Sequence, residues 1–179
     1  MSNLGPTLET GRLILRPPGA ADFDAWAAMA DDEIAMRYIG GRQQRSVAWR
    51  AFLSAAGAWA IQGFGMFSVI ERRNHRWIGR IGPITPEGWP GTEVGWGLAR
   101  EAWGQGYAVE AASAAMDFAV DTLGWTEVIH CIDPENVSSV KVAKKLGSTI
   151  LRRGRLPAPI DEDIDVWGQS ADQWKSRRA

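Results

Sequence analysis

The stretch Trp103-Gly104-Gln105-Gly106-Tyr107-Ala108 carries the first chemistry legible in the chain. It follows a strand-like run, Glu93-Val94-Gly95-Trp96-Gly97-Leu98, and leads into an alanine-rich segment of helix composition, Ala108 to Val120. With no side chains at Gly104 and Gly106, backbone N–H groups can converge on an anion at the positive end of that helix. A diphosphate suits such a cradle; the alternative is a tight turn without a ligand. Two nucleotide-binding patterns do not fit. The dinucleotide fingerprint begun at Gly104 requires Gly or Ala where Val109 stands, and its strand comes late in a meander instead of opening a βαβ unit. The Walker pattern requires Gly-Lys followed by Ser or Thr, which the chain lacks.

Other polar residues stand close by in the sequence. Strand alternation puts Glu93 on the same face as Gly95 and Gly97, a floor with room for a ligand, so Glu93 is either a proton acceptor or a surface carboxylate paired to an Arg. His130 falls on a later strand, where packing is the commoner role. The adjacent Cys131 has no base placed to activate it and reads as a small buried residue. Asn136 and Ser139 follow Pro134, where they can cap a helix or meet a ligand.

The elements that must hold these residues can be read in order. Arg12 to Arg16 has strand composition and stops at Pro17-Pro18; Ala20 to Ala30 reads as a helix with Phe23, Trp26, Ala27 and Ala30 on one face. Ser46 can cap a second helix that runs to Gly63. Met66 to Glu71 and Trp77 to Ile84 read as strands joined by a polar hairpin turn, and a proline-rich connection leads to the strand 93–98. After the helix 108–120 come a strand over 126–132, a helix from Ser138 to Leu146 closed by Gly147, and strands over 149–153 and 164–167. The expectation is one α/β domain over 1–179, with about seven strands and about four helices in a mostly antiparallel sheet.

Composition narrows the partners. Twenty Lys plus Arg against 21 Asp plus Glu leave a net charge of −1, so no overall basic field favours nucleic acid or an anionic membrane. One cysteine and two histidines give no zinc spacing and no internal disulfide, and no apolar run approaches the ~18 residues of a membrane span. The expectation is a soluble cytoplasmic protein without a metal. Ten tryptophans against five phenylalanines and two tyrosines are the compositional oddity; Trp26, Trp59 and Trp77 read as core.

Four stretches, Arg12-Leu13-Ile14-Leu15-Arg16-Pro17 followed by Asp22, then 93–98, 103–108, and Asn136-Val137-Ser138-Ser139 ahead of Lys145-Leu146-Gly147, together resemble the GNAT superfamily of N-acetyltransferases. The similarity is greatest to the branch that contains the ribosomal-protein N-terminal (Rim-type, RimJ/RimL-like) acetyltransferases. The resemblance implies a GNAT-like sheet splayed between its fourth and fifth strands, with acetyl-CoA as co-substrate filling the gap. It implies that Trp96, Gly97 and Leu98 line the pantetheine arm. Trp103, Gly104, Gln105, Gly106, Tyr107, Ala108 and Val109 would hold the diphosphate, with Trp103 standing where the family pattern has Gln or Arg. Asn136 is a further coenzyme contact by resemblance.

Acetyl transfer to an amine needs a neutral nucleophile, a polarised carbonyl and a proton for the leaving thiolate. At pH 7 the neutral form costs about 1 kcal/mol for an α-amine and about 4.6 kcal/mol for a lysine, so one carboxylate suffices for the former. The resemblance favours Glu93 as base and a protein or peptide N-terminus as acceptor. A small amine such as an amino acid, polyamine or antibiotic is the alternative. A backbone N–H near Leu98 would meet the carbonyl. The tyrosine that many relatives use as acid is replaced by Ala143, which leaves Ser139 as a candidate donor and keeps open a non-catalytic acyl-CoA-binding domain. In the family the region of Asp161, Glu162, Asp163 and Asp165 borders the acceptor entrance, so this acidic run either attracts a cationic acceptor or is a solvated loop. Trp96 and Trp103 flank the expected coenzyme arm, and Trp49, Trp89, Trp125, Trp167 and Trp174 stay open between loop anchors, a wall of the acceptor site and a homodimer contact.

Overall fold

The computed structural model describes residues 4–178, which build one eight-stranded sheet with helices on both faces. The strands are β1 (Leu8–Glu9), β2 (Leu13–Arg16), β3 (Phe67–Glu71), β4 (Arg76–Ile84), β5 (Glu93–Leu98), β6 (Glu127–Ile132), β7 (Thr149–Arg155) and β8 (Asp163–Ser170). Their spatial order is β1-β2-β3-β4-β5-β6-β8-β7, and only β5 and β6 run parallel. The helices are α1 (Phe23–Asp31), α2 (Glu33–Met36), α3 (Arg45–Gln62), α4 (Tyr107–Asp117), α5 (Val137–Leu146) and α6 (Ala171–Arg178). No helix among the described residues is long and apolar enough to cross a membrane.

Alternation along β3 shows how the core divides. Phe67 and Val69 face a cluster with Ala111, Ala112, Ala115 and Met116 of α4, whereas Ile70 faces Trp26, Met29 and Phe52 of α1 and α3. Every residue of β3 is buried, as befits a central strand covered on both sides. The alanines of α4 favour the helix and let its axis lie close to the sheet, which fixes where the N-terminus of α4 points.

The sheet parts where the family resemblance implies. β5 and β6 share a single register pair, Glu93 with Ile129, and beyond it no ladder joins them. The strands expected fourth and fifth are β5 and β6, because the two-residue β1 precedes them by pairing Leu8 with Leu15. Eight strands and six helices therefore replace the seven and four expected from the sequence. The extra helices have local causes. Asp32 accepts from the N–H groups of Ile34 (2.9 Å) and Ala35 (3.2 Å) and so starts α2. The polar α6 is held by Trp174 Nε1 donating to Asp117 at 2.9 Å and by Arg178 on Asp121 at 2.7 Å. Gln44, not Ser46, occupies the N-cap of α3, and the alanine-rich helix ends at Asp117 in a wider turn through Thr122.

Candidate active site

The gap between β5 and β6 exposes one edge of β5. Ala99 N donates to Ile78 O at 2.9 Å, so the odd-numbered residues of β5 bond toward β4 and the even-numbered ones face the gap. On that side Thr92 O accepts from Ile129 N at 2.9 Å, Val94 O from His130 Nδ1 at 2.7 Å, and Leu98 O from Trp103 Nε1 at 2.9 Å. The backbone groups of Trp96 lie between these bonds with no backbone partner across the gap among the described residues. An extended ligand with amide groups can complete this edge as a strand would.

At the end of β5 the glycine turn approaches the N-terminus of α4. Gly104 (φ +74°) and Gly106 (φ +80°) are both left-handed, and a side chain begun at Gly104 would meet nothing within 4 Å. The N–H groups of Tyr107, Ala108 and Val109 precede the first intrahelical bond, Glu110 N to Gly106 O at 3.1 Å, and no side chain among the described residues caps them. This is an open, positively polarised cradle that fits a diphosphate. The Tyr107 side chain does not belong to it: its hydroxyl donates to buried Glu71 at 2.6 Å and anchors the turn to the β3–β4 hairpin. Gln105 likewise turns back, its Nε2 donating to Glu101 O at 3.0 Å.

A cavity of about 220 Å³ opens where the strands part, lined by Glu93, Trp96, Asn136 and Ser139 among others. Glu93 is 5% exposed. One carboxylate oxygen accepts from Trp89 Nε1 and the other from Cys131 N at 3.1 Å. Burial pushes its pKa up, while those two donors pull it down. The glycine floor is present: a Cβ at Gly95 would lie 3.4 Å from Glu93 Oε1, and one at Gly97 would meet Ile39 and Met29 side-chain ends at 3.0 and 3.1 Å.

Asn136 and Ser139 are brought to the same cavity. Asn136 caps α5 through Oδ1 accepting from Ser139 N at 3.1 Å, which leaves its amide N–H groups as the ones available to a ligand. Ser139 Oγ accepts from Trp96 Nε1 at 3.1 Å, so its own proton can be donated elsewhere. Ala143 is fully buried one turn further along α5.

His130 is 1% exposed and completely engaged: Nδ1 meets Val94 O and Nε2 meets Ser148 Oγ at 3.0 Å, with burial lowering its pKa to about 4. It is a neutral brace between β6 and β5. Burial and the adjacent Glu93 raise the thiol pKa of half-buried Cys131, which keeps it protonated. The acidic run is mostly neutralised. Arg155 holds Asp161 at 2.8 Å and Asp163 at 2.7 Å, and Arg153 lies 3.9 Å from Asp165, so Glu162 alone of the four lines the cavity.

Three residues at the site have roles that the sequence does not specify. Trp89 reaches Glu93 from the proline-rich loop. Arg12 lies at the glycine turn, donating to Gln105 O at 2.9 Å and to Glu110 at 2.6 Å, with its guanidinium 4.5 Å from the Tyr107 ring centroid. Arg80, on β4, lines the cavity beside the glycine floor. No group of three or more His, Cys, Asp or Glu that could hold a metal occurs among the described residues.

Residues 12–149 match the family model described as the acetyltransferase (GNAT) domain. The chain is 31% identical over 105 residues to the uncharacterized protein YkkB of Bacillus subtilis, a match spanning 56% of this chain and 61% of that one. It is 28% identical over 162 residues to the uncharacterized N-acetyltransferase YnaD of the same organism, spanning 90% and 92%. Among solved structures, an acetyltransferase from Agrobacterium tumefaciens superposes with a TM-score of 0.80 at 32% identity, covering 92% of this chain and 94% of its own.

Proposed function

The chain belongs to the GNAT acetyltransferase family, and from that premise we propose that it transfers the acetyl group of acetyl-CoA directly to a primary amine with Glu93 as the base. The observation that carries this reading is the position of Glu93: a buried carboxylate at the cavity, at the point where β5 and β6 separate. A pKa raised by burial brings a carboxylate nearer neutrality, where a general base is most effective. Bound acetyl-CoA supplies an acyl group activated as a thioester, and the net reaction exchanges its C–S bond for a C–N bond while the amine proton ends on the thiol.

The residues take up separate parts of that task. The free edge at Trp96 receives the amide-bearing arm of the coenzyme, the N–H of Leu98 meets its thioester carbonyl, and the turn from Trp103 to Val109 receives its diphosphate. Asn136 offers its amide toward the sulfur end. Glu93 removes a proton from the incoming ammonium, directly or through a water. Ser139, with its oxygen already accepting from Trp96, is the donor we assign to the departing sulfur.

The Rim-type pattern of the four motif stretches supports an α-amine acceptor, of which a peptide N-terminus is one form and a free small amine the other. We place this reaction in the cytosol, a reducing setting that suits the lone Cys131. The test is thiol release from acetyl-CoA with a panel of N-terminal peptides and small amines. Release that depends on an amine and on Glu93 upholds the proposal; tight acetyl-CoA binding with no release across the panel identifies a coenzyme-binding domain instead.

A further inference from the structure

Arg80 is a cation without a partner in a cavity that already holds a carboxylate. Its cross-strand neighbour is Gly97, and Glu93 stands on the same face of the sheet, opposite Ile84. Arg80 Nε lies 3.9 Å from the point where a Gly97 side chain would begin, and Glu93 Oε1 lies 3.4 Å from the corresponding point at Gly95. Those two points are two strand residues apart, about 6.8 Å. A guanidinium and a carboxylate thus stand beside successive positions of one glycine floor, and no ion pair joins them among the described residues.

The head of Arg80 has no hydrogen-bond or ion-pair partner among the described residues. Arg16 shows the usual arrangement: both of its terminal nitrogens are held by Asp22 at 2.7 Å. Arg80 is not sealed in dry protein either, because among the described residues the one wholly buried side-chain polar atom lacking a partner is Trp167 Nε1. Its nitrogens therefore reach open space, and of the two cavities Arg80 lines, the one beside Trp26 holds only about 10 Å³ while the one shared with Glu93 holds about 220 Å³. The Trp26 ring, 4.6 Å from the guanidinium carbon, fixes one face of the group. Burial lowers its pKa to about 10, so it remains a cation at neutral pH. An unpaired buried charge is costly, and the cost is recovered when an anion completes it.

We propose that Arg80 receives an anionic group of the acceptor, and that the acceptor is a small amino carboxylate whose nitrogen lies at Glu93 while its carboxylate lies on Arg80. The inference rests on the reading of Glu93 as the place where the amine loses its proton. A cavity of about 220 Å³ matches a compact molecule. A peptide N-terminus would bring a neutral amide carbonyl to the same place, leaving the guanidinium uncompensated.

The experiment measures thiol release from acetyl-CoA, and calorimetric binding to coenzyme A-loaded protein, for the standard L-amino acids and β-alanine, each beside its own carboxamide. Wild-type protein is expected to favour at least one carboxylate over its carboxamide by about 10- to 100-fold. Arg80→Gln is expected to bring that ratio near unity, Arg80→Lys to keep part of it, and both to bind acetyl-CoA as wild type does. Equal use of carboxylate and carboxamide, no binding of any amino carboxylate, or a ratio unchanged in Arg80→Gln would overturn the proposal. The wild-type comparison stands even if a variant fails to fold. Preferential binding without thiol release upholds the role of Arg80 and removes the transfer reaction; thiol release with carboxamides used equally does the reverse.

Discussion

The indole nitrogen of Trp103 donates to the carbonyl oxygen of Leu98 across 2.9 Å, tying the start of the glycine turn to the free edge of β5. The side chain that takes the place of the family's Gln or Arg thus acts on the backbone. It holds the diphosphate cradle and the expected pantetheine edge in one register. Trp103→Phe keeps an aromatic ring and deletes the bond, worth about 1 kcal/mol. The expected result is an acetyl-CoA Kd raised about fivefold with kcat nearly unchanged, read by titration of tryptophan fluorescence. The ring is 43% exposed, so acetyl-CoA should perturb the emission of Trp103 as well as Trp96, and the Trp103 part should vanish in the variant.

Glu93→Gln separates base chemistry from binding. Loss of the general base should lower kcat by about 10²- to 10⁴-fold while the Kd for acetyl-CoA holds. The substitution also has a structural cost. Trp89 Nε1 and Cys131 N both donate to the carboxylate, so either orientation of the amide sets its NH2 against a donor. A Tm lowered by a few degrees is expected with the fold intact by circular dichroism. Wild-type kcat in this variant would remove Glu93 from the mechanism.

Trp89→Phe tunes the same carboxylate without removing it. A donor to the ionised carboxylate favours that form and lowers its pKa, so deleting the indole N–H shifts the pKa further in the direction burial already pushes it. The acid limb of kcat/KM should move to higher pH in the variant, with the plateau at high pH largely retained. A limb that stays in place would show that another group controls the profile.

How much of this could be read from the chain depends on the range of the forces involved. Gly104 and Gly106 were legible because left-handed backbone at a strand–helix turn demands glycine. The floor of Gly95 and Gly97 beside Glu93 was legible because strand alternation is strict. Arg80 was not, because its meaning lies in cross-strand register and in the absence of a partner, neither of which has a local signature. Arg12 meets Glu110 across 98 positions of sequence, and Trp89 sits in a proline-rich loop without periodicity. The acidic run stayed open between an acceptor entrance and a solvated loop for the same reason: Arg155, which pairs with Asp161 and Asp163, gives no sign in the sequence that it will hold both. The polar α6 exists through Trp174 and Arg178 reaching Asp117 and Asp121, contacts that no helical pattern announces.

His130 predicts how the fold responds to acid. In the folded chain its pKa is lowered to about 4 by burial, against an ordinary value near 6.5. Between those values the unfolded chain binds a proton that the folded chain refuses, so unfolding is increasingly favoured as pH falls from about 6.5 to 4. The full window corresponds to about 3 kcal/mol. Glu93 acts with the opposite sign, because a carboxyl whose pKa is raised on folding is protonated earlier in the native state and offsets part of the loss above its ordinary pKa. His130→Gln isolates the histidine. Glutamine offers one donor for Val94 O and one acceptor for Ser148 Oγ, does not titrate, and leaves Glu93 in place. Urea unfolding from pH 4 to 7 should show the variant less stable at pH 7, where the histidine packs better, and closing on wild type toward pH 4. Parallel curves would mean that His130 is not buried as a neutral ring, and that the brace joining β6 to Val94 O is absent in solution.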